Sequence, residues 1–377
     1  MKIAIDISQL VYKGTGVATY TDQLVRNLLK SDTKNEYILF GISLRKFNFF
    51  KDYIDQLKAS YQNVEGRFFH IPPRIGEFIW NKLHLINIET FIDDIDIFYS
   101  SDWIQPPTKA KKITTVHDLL VYKYPDVSHP YIVQVQKRRL ELVKKECDMV
   151  VADSNSTKRE LIDILHFNKD KIEVIYPGIS EKFIPEPSDK IQKIRQKYGL
   201  YDDYILSVGT IEPRKNLKGI ISAFELFLKH SLIASRKNPV ELVLVGKFGW
   251  GEKWKPRNKI KSLGYVSKDD LPSLYTGASM FLYPSFYEGF GFPVLEAMAC
   301  GCPVITSNQG SLSEVVADAA LIVDPQIIED ISSKMIQLFV DNSLRKEFIT
   351  KGKENVYRFN WDKTAKSFLN IYKNLYK

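Results

Sequence analysis

Short apolar runs alternate with longer stretches in which apolar positions recur every three to four residues, and the alternation continues along the whole chain. The first half holds KIAIDIS, EYILFGIS, RFFHIP, IFYSS, KITTVHD and MVVADS; the second holds YILSVGT, ELVLVGK, KSLGYV, MFLYPS, PVITSN and ALIVD. Most of these runs are continuously apolar, the pattern of strands covered on both faces of a parallel sheet. Segments such as TDQLVRNLLK and GIISAFELFLKH between them read as helices. Strand–helix alternation of this kind predicts an α/β fold with doubly wound sheets. The stretch YPGISEKFIPEPSDK, residues 176–190, carries three prolines and several charges and reads as a linker. A length of 377 residues favours two domains, which we place at 1–180 and 181–361. Ligands of such sheets bind at the carboxyl ends of the strands, so two facing domains would hold a site in a cleft. In the final stretch, Trp361, Ala365, Phe368, Leu369, Ile371, Tyr372 and Leu375 follow a helical spacing, which predicts one buried face.

Composition narrows the class. Apolar residues make up 44% and charged residues 26%, which suits packed globular cores. No apolar run approaches the roughly 18 residues of a membrane span, and Asp6 interrupts any signal-peptide pattern at the N-terminus. A cytosolic chain is expected. Cys147, Cys300 and Cys302 read as small buried residues. The net charge of +8 is spread along the chain, without a zinc-finger, helix-turn-helix or aromatic RNA-binding signature, so nucleic acid is not expected as a partner. Phosphorylated substrates and an anionic membrane surface stay open. Residues 43–60, SLRKFNFFKDYIDQLKAS, mix Arg45, Lys46 and Lys51 with Phe47, Phe49, Phe50 and Tyr53. They fit either a peripheral anionic interface or an ordinary core helix.

Four constellations can carry chemistry. In PSFYEGFGFPVLEAMACGCPV, residues 284–304, a strand ends in a glycine-rich turn and a short helix follows. Gly289 and Gly291 let the backbone approach a ligand closely. Glu288 can accept hydrogen bonds from sugar hydroxyls, and Glu296, one turn into the helix, can accept them from a diol. In VGTIEPRKNLKG, residues 208–219, Arg214 and Lys215 follow a strand end, where two cations can neutralise a diphosphate, and Asn216 can cap the next helix. YKGTGVATY, residues 12–20, keeps Gly14 and Gly16 but has Thr19 at the third glycine position, which argues against a nicotinamide or flavin cofactor. In TTVHDLL, His117 sits at a strand end. Asp94 and Asp96 precede a strand and read as a solvated helix end, so no metal site is expected.

These motifs resemble the retaining nucleotide-sugar glycosyltransferases of the GT-B fold, marked by two glutamates with seven residues between them. EGFGFPVLE, EAMACGCPVITSNQGSLSEVV, GTIEPRKN, VHDL and WDKTAKSFLNIYKNLY carry the resemblance. Among these enzymes the chain is most similar to O-antigen and polymannose mannosyltransferases. The resemblance implies two Rossmann-like domains facing a cleft, with a C-terminal helix over 362–377 crossing back to the first, acceptor-side domain. It implies that Glu288 and the backbone of Gly289, Phe290, Gly291 and Phe292 hold the donor sugar and diphosphate, and that Glu296 holds the ribose. It implies that Arg214 and Lys215 stabilise the leaving group, that Gly14 and Gly16 close on the diphosphate, and that His117 contacts the donor sugar. The backbone of Tyr265 and Val266 would receive the base. Many relatives place arginine directly after the strand-end glycine; here Thr210 stands there, and Arg214 would supply the charge. The donor would be a nucleoside diphosphate sugar, GDP-mannose ahead of a UDP-sugar. The acceptor would be a glycan or lipid-linked glycan, and no cofactor or metal would be used. A nucleotide-sugar epimerase and a non-catalytic polyanion-binding module are the competing readings.

Overall fold

The computed structural model describes residues 1–249 and 258–377. It divides into two compact units, Met1–Gly178 with Asn360–Lys377, and Ile179–Phe359. Each apolar run named above forms a strand.

The first unit holds β1 (Lys2–Asp6), β2 (Glu36–Ile42), β3 (Val64–Phe69), β4 (Ile97–Ser100), β5 (Lys111–Val116), β6 (Met149–Ala152) and β7 (Ile172–Val174). They pair in parallel in the order β3-β2-β1-β4-β5-β6-β7. The order reverses direction between β1 and β4, so a topological switch point lies at their carboxyl ends. α1 (Gly16–Ser31) starts at Thr15, whose hydroxyl accepts the Ala18 amide at 3.2 Å, and buries Tyr20, Leu24 and Leu28. α2 (Phe47–Lys58) buries Phe50, Tyr53, Ile54 and Leu57. Of the four aromatic residues noted over 43–60, Phe50 and Tyr53 are thus in the core, and Phe47 and Phe49 are half-buried. α3 (Pro130–Glu146) packs beside the helical segment Pro73–Leu83.

The C-terminal helix, Trp361–Tyr376, belongs to this first unit and packs on α1. It buries Trp361, Ala365, Phe368, Ile371 and Tyr372, five of the seven positions expected from their spacing, while Leu369 and Leu375 are half-buried. Trp361 meets Tyr20 edge to face at 5.6 Å, and Phe368 meets Tyr99 at 5.8 Å. Aromatic side chains buried in this way contribute roughly 1.5–3 kcal/mol each.

The second unit holds β8 (Asp203–Val208), β9 (Val240–Val245), β10 (Ile260–Gly264), β11 (Met280–Tyr283), β12 (Val304–Ser307) and β13 (Leu321–Val323). They are parallel in the order β10-β9-β8-β11-β12-β13, which puts the switch point between β8 and β11. α4 (Leu217–Lys229) follows β8, α5 (Leu271–Gly277) precedes β11, and α6 (Phe292–Ala299) follows it. Phe224 and Phe227 of α4 pack with Ile331, Met335 and Leu338 to cover one sheet face. Both units are thus the doubly wound Rossmann-like sheets expected. The three cysteines are buried and unpaired with one another. No helix among the described residues is long and apolar enough to cross a membrane.

Candidate active site

The strongest cluster lies at the β8/β11 switch point. The chain leaves β8, forms one tight turn over Pro213–Lys215, and enters α4 through Asn216. Asn216 has a left-handed backbone (φ 57°), and its side-chain oxygen accepts the Gly219 amide at 3.2 Å. Its amide nitrogen donates to the carbonyls of Pro284 (3.2 Å) and Pro325 (2.7 Å). The exits of β8, β11 and β13 are therefore latched by one side chain. The Phe286 amide donates to the Arg214 carbonyl at 2.9 Å, a second tie between the first two.

This latch sets Arg214 and Lys215 around Glu288. Arg214 Nη1 lies 2.5 Å from Glu288 Oε2, and Lys215 Nζ lies 2.6 Å from Oε1. Arg214 Nε and Nη2 both donate to Glu212 Oε1, at 3.0 and 2.7 Å, and Nη1 also donates to the Tyr287 carbonyl. Lys215 donates to the Tyr283 hydroxyl. Two carboxylates and two cations thus form a network of zero net charge around the buried Glu288, with Glu212, Arg214 and Lys215 half-buried. Burial pushes the Glu288 carboxyl up, but Arg214 and Lys215 more than offset it and hold its pKa at about 2. Burial lowers the Lys215 pKa, against the pull of Glu288. An arrangement of this kind fixes two cations in place before any anion arrives.

The glycine-rich turn is packed against the exit of β12. Gly310 (φ 64°) is in the left-handed region, and a Cβ there would lie 2.2 Å from the Glu288 carbonyl oxygen. That close approach lets Ser311 donate its amide to the Glu288 carbonyl at 3.0 Å and its hydroxyl to the Phe290 carbonyl at 3.1 Å. Gly291 (φ 100°) is the N-cap of α6, and Pro293 is at the second helical position. The Phe290 ring is buried and packs on Phe292 and Phe359, so only its backbone can face a ligand. Glu296 is half-buried on α6 and accepts the Tyr275 hydroxyl at 2.9 Å. Burial pushes its pKa up to about 7.

Thr210, exposed just after β8, lines one pocket with Gly209, Lys215 and Tyr283, so it adjoins this network. Tyr265 and Val266 follow β10, two strands away from β8; Tyr265 is exposed with Lys247 Nζ 5.0 Å from its ring centre, and Val266 is buried. Gly14, Gly16 and His117 belong to the first unit. Gly14 takes φ 90°, and Gly16 is the first residue of α1 with open space where a Cβ would stand. His117 follows β5, and its Nδ1 is 2.6 Å from Asp153 Oδ2 at the end of β6. Tyr20 packs edge to face on the imidazole at 4.8 Å. Burial opposes charge on His117, but Asp153 beside it raises the pKa above the ordinary histidine value. At the end of β1, Asp6 is fully buried, and burial pushes its carboxyl up to about 6. Asp94 and Asp96 precede β4, and Asp96 accepts the Lys2 amide at 2.7 Å.

Sequence reasoning missed Glu212, Tyr283, Tyr275, Ser311 and Asp153. Glu212 stands inside the basic motif, and Asp153 is a strand-end carboxylate like its neighbour Asp118.

Residues 14–183 match the model of the family described as Glycosyltransferase Family 4, and residues 190–355 match that described as Glycosyl transferases group 1. The chain is 31% identical to the O-antigen chain mannosyltransferase B of Escherichia coli over the full length of both. It is 30% identical to the serotype-specific mannosyltransferase WbdA of Escherichia coli across 68% of this chain and 32% of that one. Among solved structures, Anabaena HepE in complex with UDP and glucose superposes with a TM-score of 0.73 at 17% identity, covering 99% of this chain and 100% of that one.

Proposed function

Because the chain belongs to the glycosyltransferases, with the GT-B fold, we propose that it moves a hexose, mannose first, from a nucleoside diphosphate sugar to a hydroxyl of a glycan or lipid-linked glycan, with retention of anomeric configuration. The observation that carries this reading is the Glu288–Arg214–Lys215 network at the β8/β11 switch point. Two cations fixed beside a helix start suit a departing diphosphate, whose charge grows as the bond to the sugar breaks. In the scheme the bond from C1 to the diphosphate oxygen breaks and the acceptor oxygen bonds to C1 on the same face. The acceptor proton passes to the leaving phosphate oxygen.

The second unit is the donor side in this reading and the first the acceptor side. Glu288 accepts hydrogen bonds from sugar hydroxyls, the backbone from Gly289 to Phe292 meets the sugar and diphosphate, and Glu296 takes the ribose diol. The base lies along the backbone of Tyr265 and Val266. His117, with Gly14 and Gly16, contributes from the first unit. The two mannosyltransferase relatives support mannose, and the UDP complex of the fold neighbour makes a UDP-hexose the competing donor.

The test is to incubate the protein with GDP-mannose, UDP-glucose and ADP-glucose, with and without a mannose-terminated glycan, and to analyse the product by mass and anomeric configuration. Acceptor-dependent transfer from GDP-mannose, giving the donor's α configuration, is expected. An altered free sugar formed without acceptor would replace the reading with an epimerase; an inverted product would remove retention.

A further inference from the structure

We propose that the β1/β4 switch point of the first unit holds a subsite for an uncharged sugar ring of the acceptor, with Asp6 and Asp102 taking its hydroxyls and Trp103 and Tyr131 its apolar face. The proposal rests on the reading of the first unit as the acceptor side. It adds which residues meet the acceptor and what charge the acceptor carries there.

β1 and β4 run side by side with Ile5 in register with Tyr99, so Asp6 at the end of β1 and Ser101 and Asp102 beyond β4 leave the sheet together. Asp6 is fully buried; its Oδ1 accepts the Ser8 amide at 2.8 Å, and its Oδ2 has no hydrogen-bond partner. After burial and the Ser8 contacts, the groups that act on the Asp6 proton are the Ser101 hydroxyl and the Asp102 carboxylate, so this carboxyl lies beside the β4 exit.

The β4 exit is fixed through its main chain. The Asp102 carbonyl accepts the Gln136 side-chain amide at 2.6 Å, the Trp103 amide donates to Ser101 Oγ at 3.3 Å, and the Trp103 carbonyl accepts the Asn81 side chain at 2.8 Å. The side chains are left unengaged. Asp102 is half-buried, and among the described residues its carboxylate has no hydrogen-bond or ion-pair partner. The indole Nε1 of Trp103 is buried without a partner, and its ring centre lies 6.1 Å from that of Tyr131 on α3. Buried polar atoms left without partners cost free energy. A sugar ring relieves that cost: its hydroxyls donate to carboxylates and accept from an N–H, and its C–H face packs on aromatic rings.

The charges exclude an anionic ring. The cations nearby are engaged. Arg139 is buried and donates to the Ser101 and Thr115 carbonyls and the Thr114 hydroxyl, Arg138 pairs with Glu77, and Arg74 stacks over the Tyr131 ring at 5.3 Å. A sugar phosphate would therefore meet Asp102 without a cation to offset it. Asp102 also lies within electrostatic reach of His117, so the subsite adjoins the first-unit residues assigned to the donor, Gly14, Gly16 and His117, without sharing any of them.

The experiment is saturation-transfer NMR of the full chain with methyl α-mannoside and with mannose 6-phosphate, without nucleotide sugar, so that binding is read whether or not transfer occurs. Saturation of methyl α-mannoside, stronger than that of mannose 6-phosphate, is expected. Asp102→Asn should weaken the mannoside by about tenfold, the loss typical of one hydrogen bond to a charged group, and should narrow the gap between the two sugars. Trp103→Ala should weaken the mannoside by about tenfold, and Trp103→Phe, which keeps a ring face, by clearly less. The melting temperature of Asp102→Asn should stay at the parent value, because the carboxylate holds nothing in the free protein. No mannoside binding by the parent, a preference for mannose 6-phosphate, or binding by Asp102→Asn as tight as the parent's would overturn the proposal. Mannoside binding that responds to these variants in a chain that transfers no hexose would count against the transferase reading and leave the sugar subsite standing.

Discussion

Glu288→Gln tests the charge network directly. The carboxyl is held near 2 against an ordinary 4.5. At about 1.4 kcal/mol for each tenfold change in proton affinity, that difference corresponds to roughly 3 kcal/mol of stabilisation. The sign follows from the lowered value: the contribution is complete above about 4.5 and is lost as the pH falls through about 2. At neutral pH the substitution leaves the half-buried Arg214 and Lys215 without their shared anion, with only Glu212 still paired to Arg214, so urea unfolding of the second unit should shift by up to about 3 kcal/mol. A nucleoside diphosphate can then take the place of the lost carboxylate. The stabilisation that GDP or UDP adds should therefore be larger in Glu288→Gln than in the parent, while hexose transfer falls because the sugar loses its hydrogen-bond acceptor. Unfolding is followed by far-ultraviolet circular dichroism with and without nucleotide. A variant as stable as the parent, or one that gains less from nucleotide, would refute the idea that Glu288 stands in for the anion.

Arg214→Ala and Lys215→Ala should each lower turnover by roughly 10²–10³, the usual loss for one charge-stabilising donor; near-normal nucleotide release in both would take them out of the site. The raised Glu296 pKa of about 7 means that its ionised form, the better acceptor for a ribose diol, grows in as the pH rises through that value. Nucleotide titrations by calorimetry from mildly acid to mildly alkaline pH should therefore show a tightening in the parent that exceeds the tightening in Glu296→Gln; identical slopes would show that Glu296 does not meet the ligand. Phe368→Ala, on the C-terminal helix, should destabilise the first unit by about 3–5 kcal/mol. Deleting residues 362–377 should abolish transfer while nucleotide binding persists, and a truncated chain with normal transfer would show that the helix is dispensable.

The strands were readable because burial on both sheet faces leaves an unbroken apolar signature. β7 escaped notice because Ile172–Val174 is three residues long and has a glutamate at its centre. The motif residues were readable because strand ends, glycines and helix caps leave local marks. Their holders were not: Glu288 meets Arg214 across 74 positions, and His117 meets Asp153 across 36. Such pairs are set by strand order, which no local pattern states. The ambiguity over residues 43–60 had the same root, since an amphipathic helix has the same periodicity whether its apolar face meets a sheet or a bilayer.

The return of the chain to its starting unit has a consequence for synthesis. The second unit is one continuous stretch, Ile179–Phe359, and can fold as soon as it clears the ribosome. The first unit cannot close when its own 178 residues have emerged, because the helix that covers Tyr20 and Tyr99 is encoded at Trp361–Tyr376. At translation speeds of about 5–20 residues per second, its apolar groove waits roughly 10–40 s for that last helix. During that interval the nascent chain shows chaperones an unfinished N-terminal half beside a finished C-terminal one. A message cut short near its end would yield a protein whose earliest-made half is the one left incomplete.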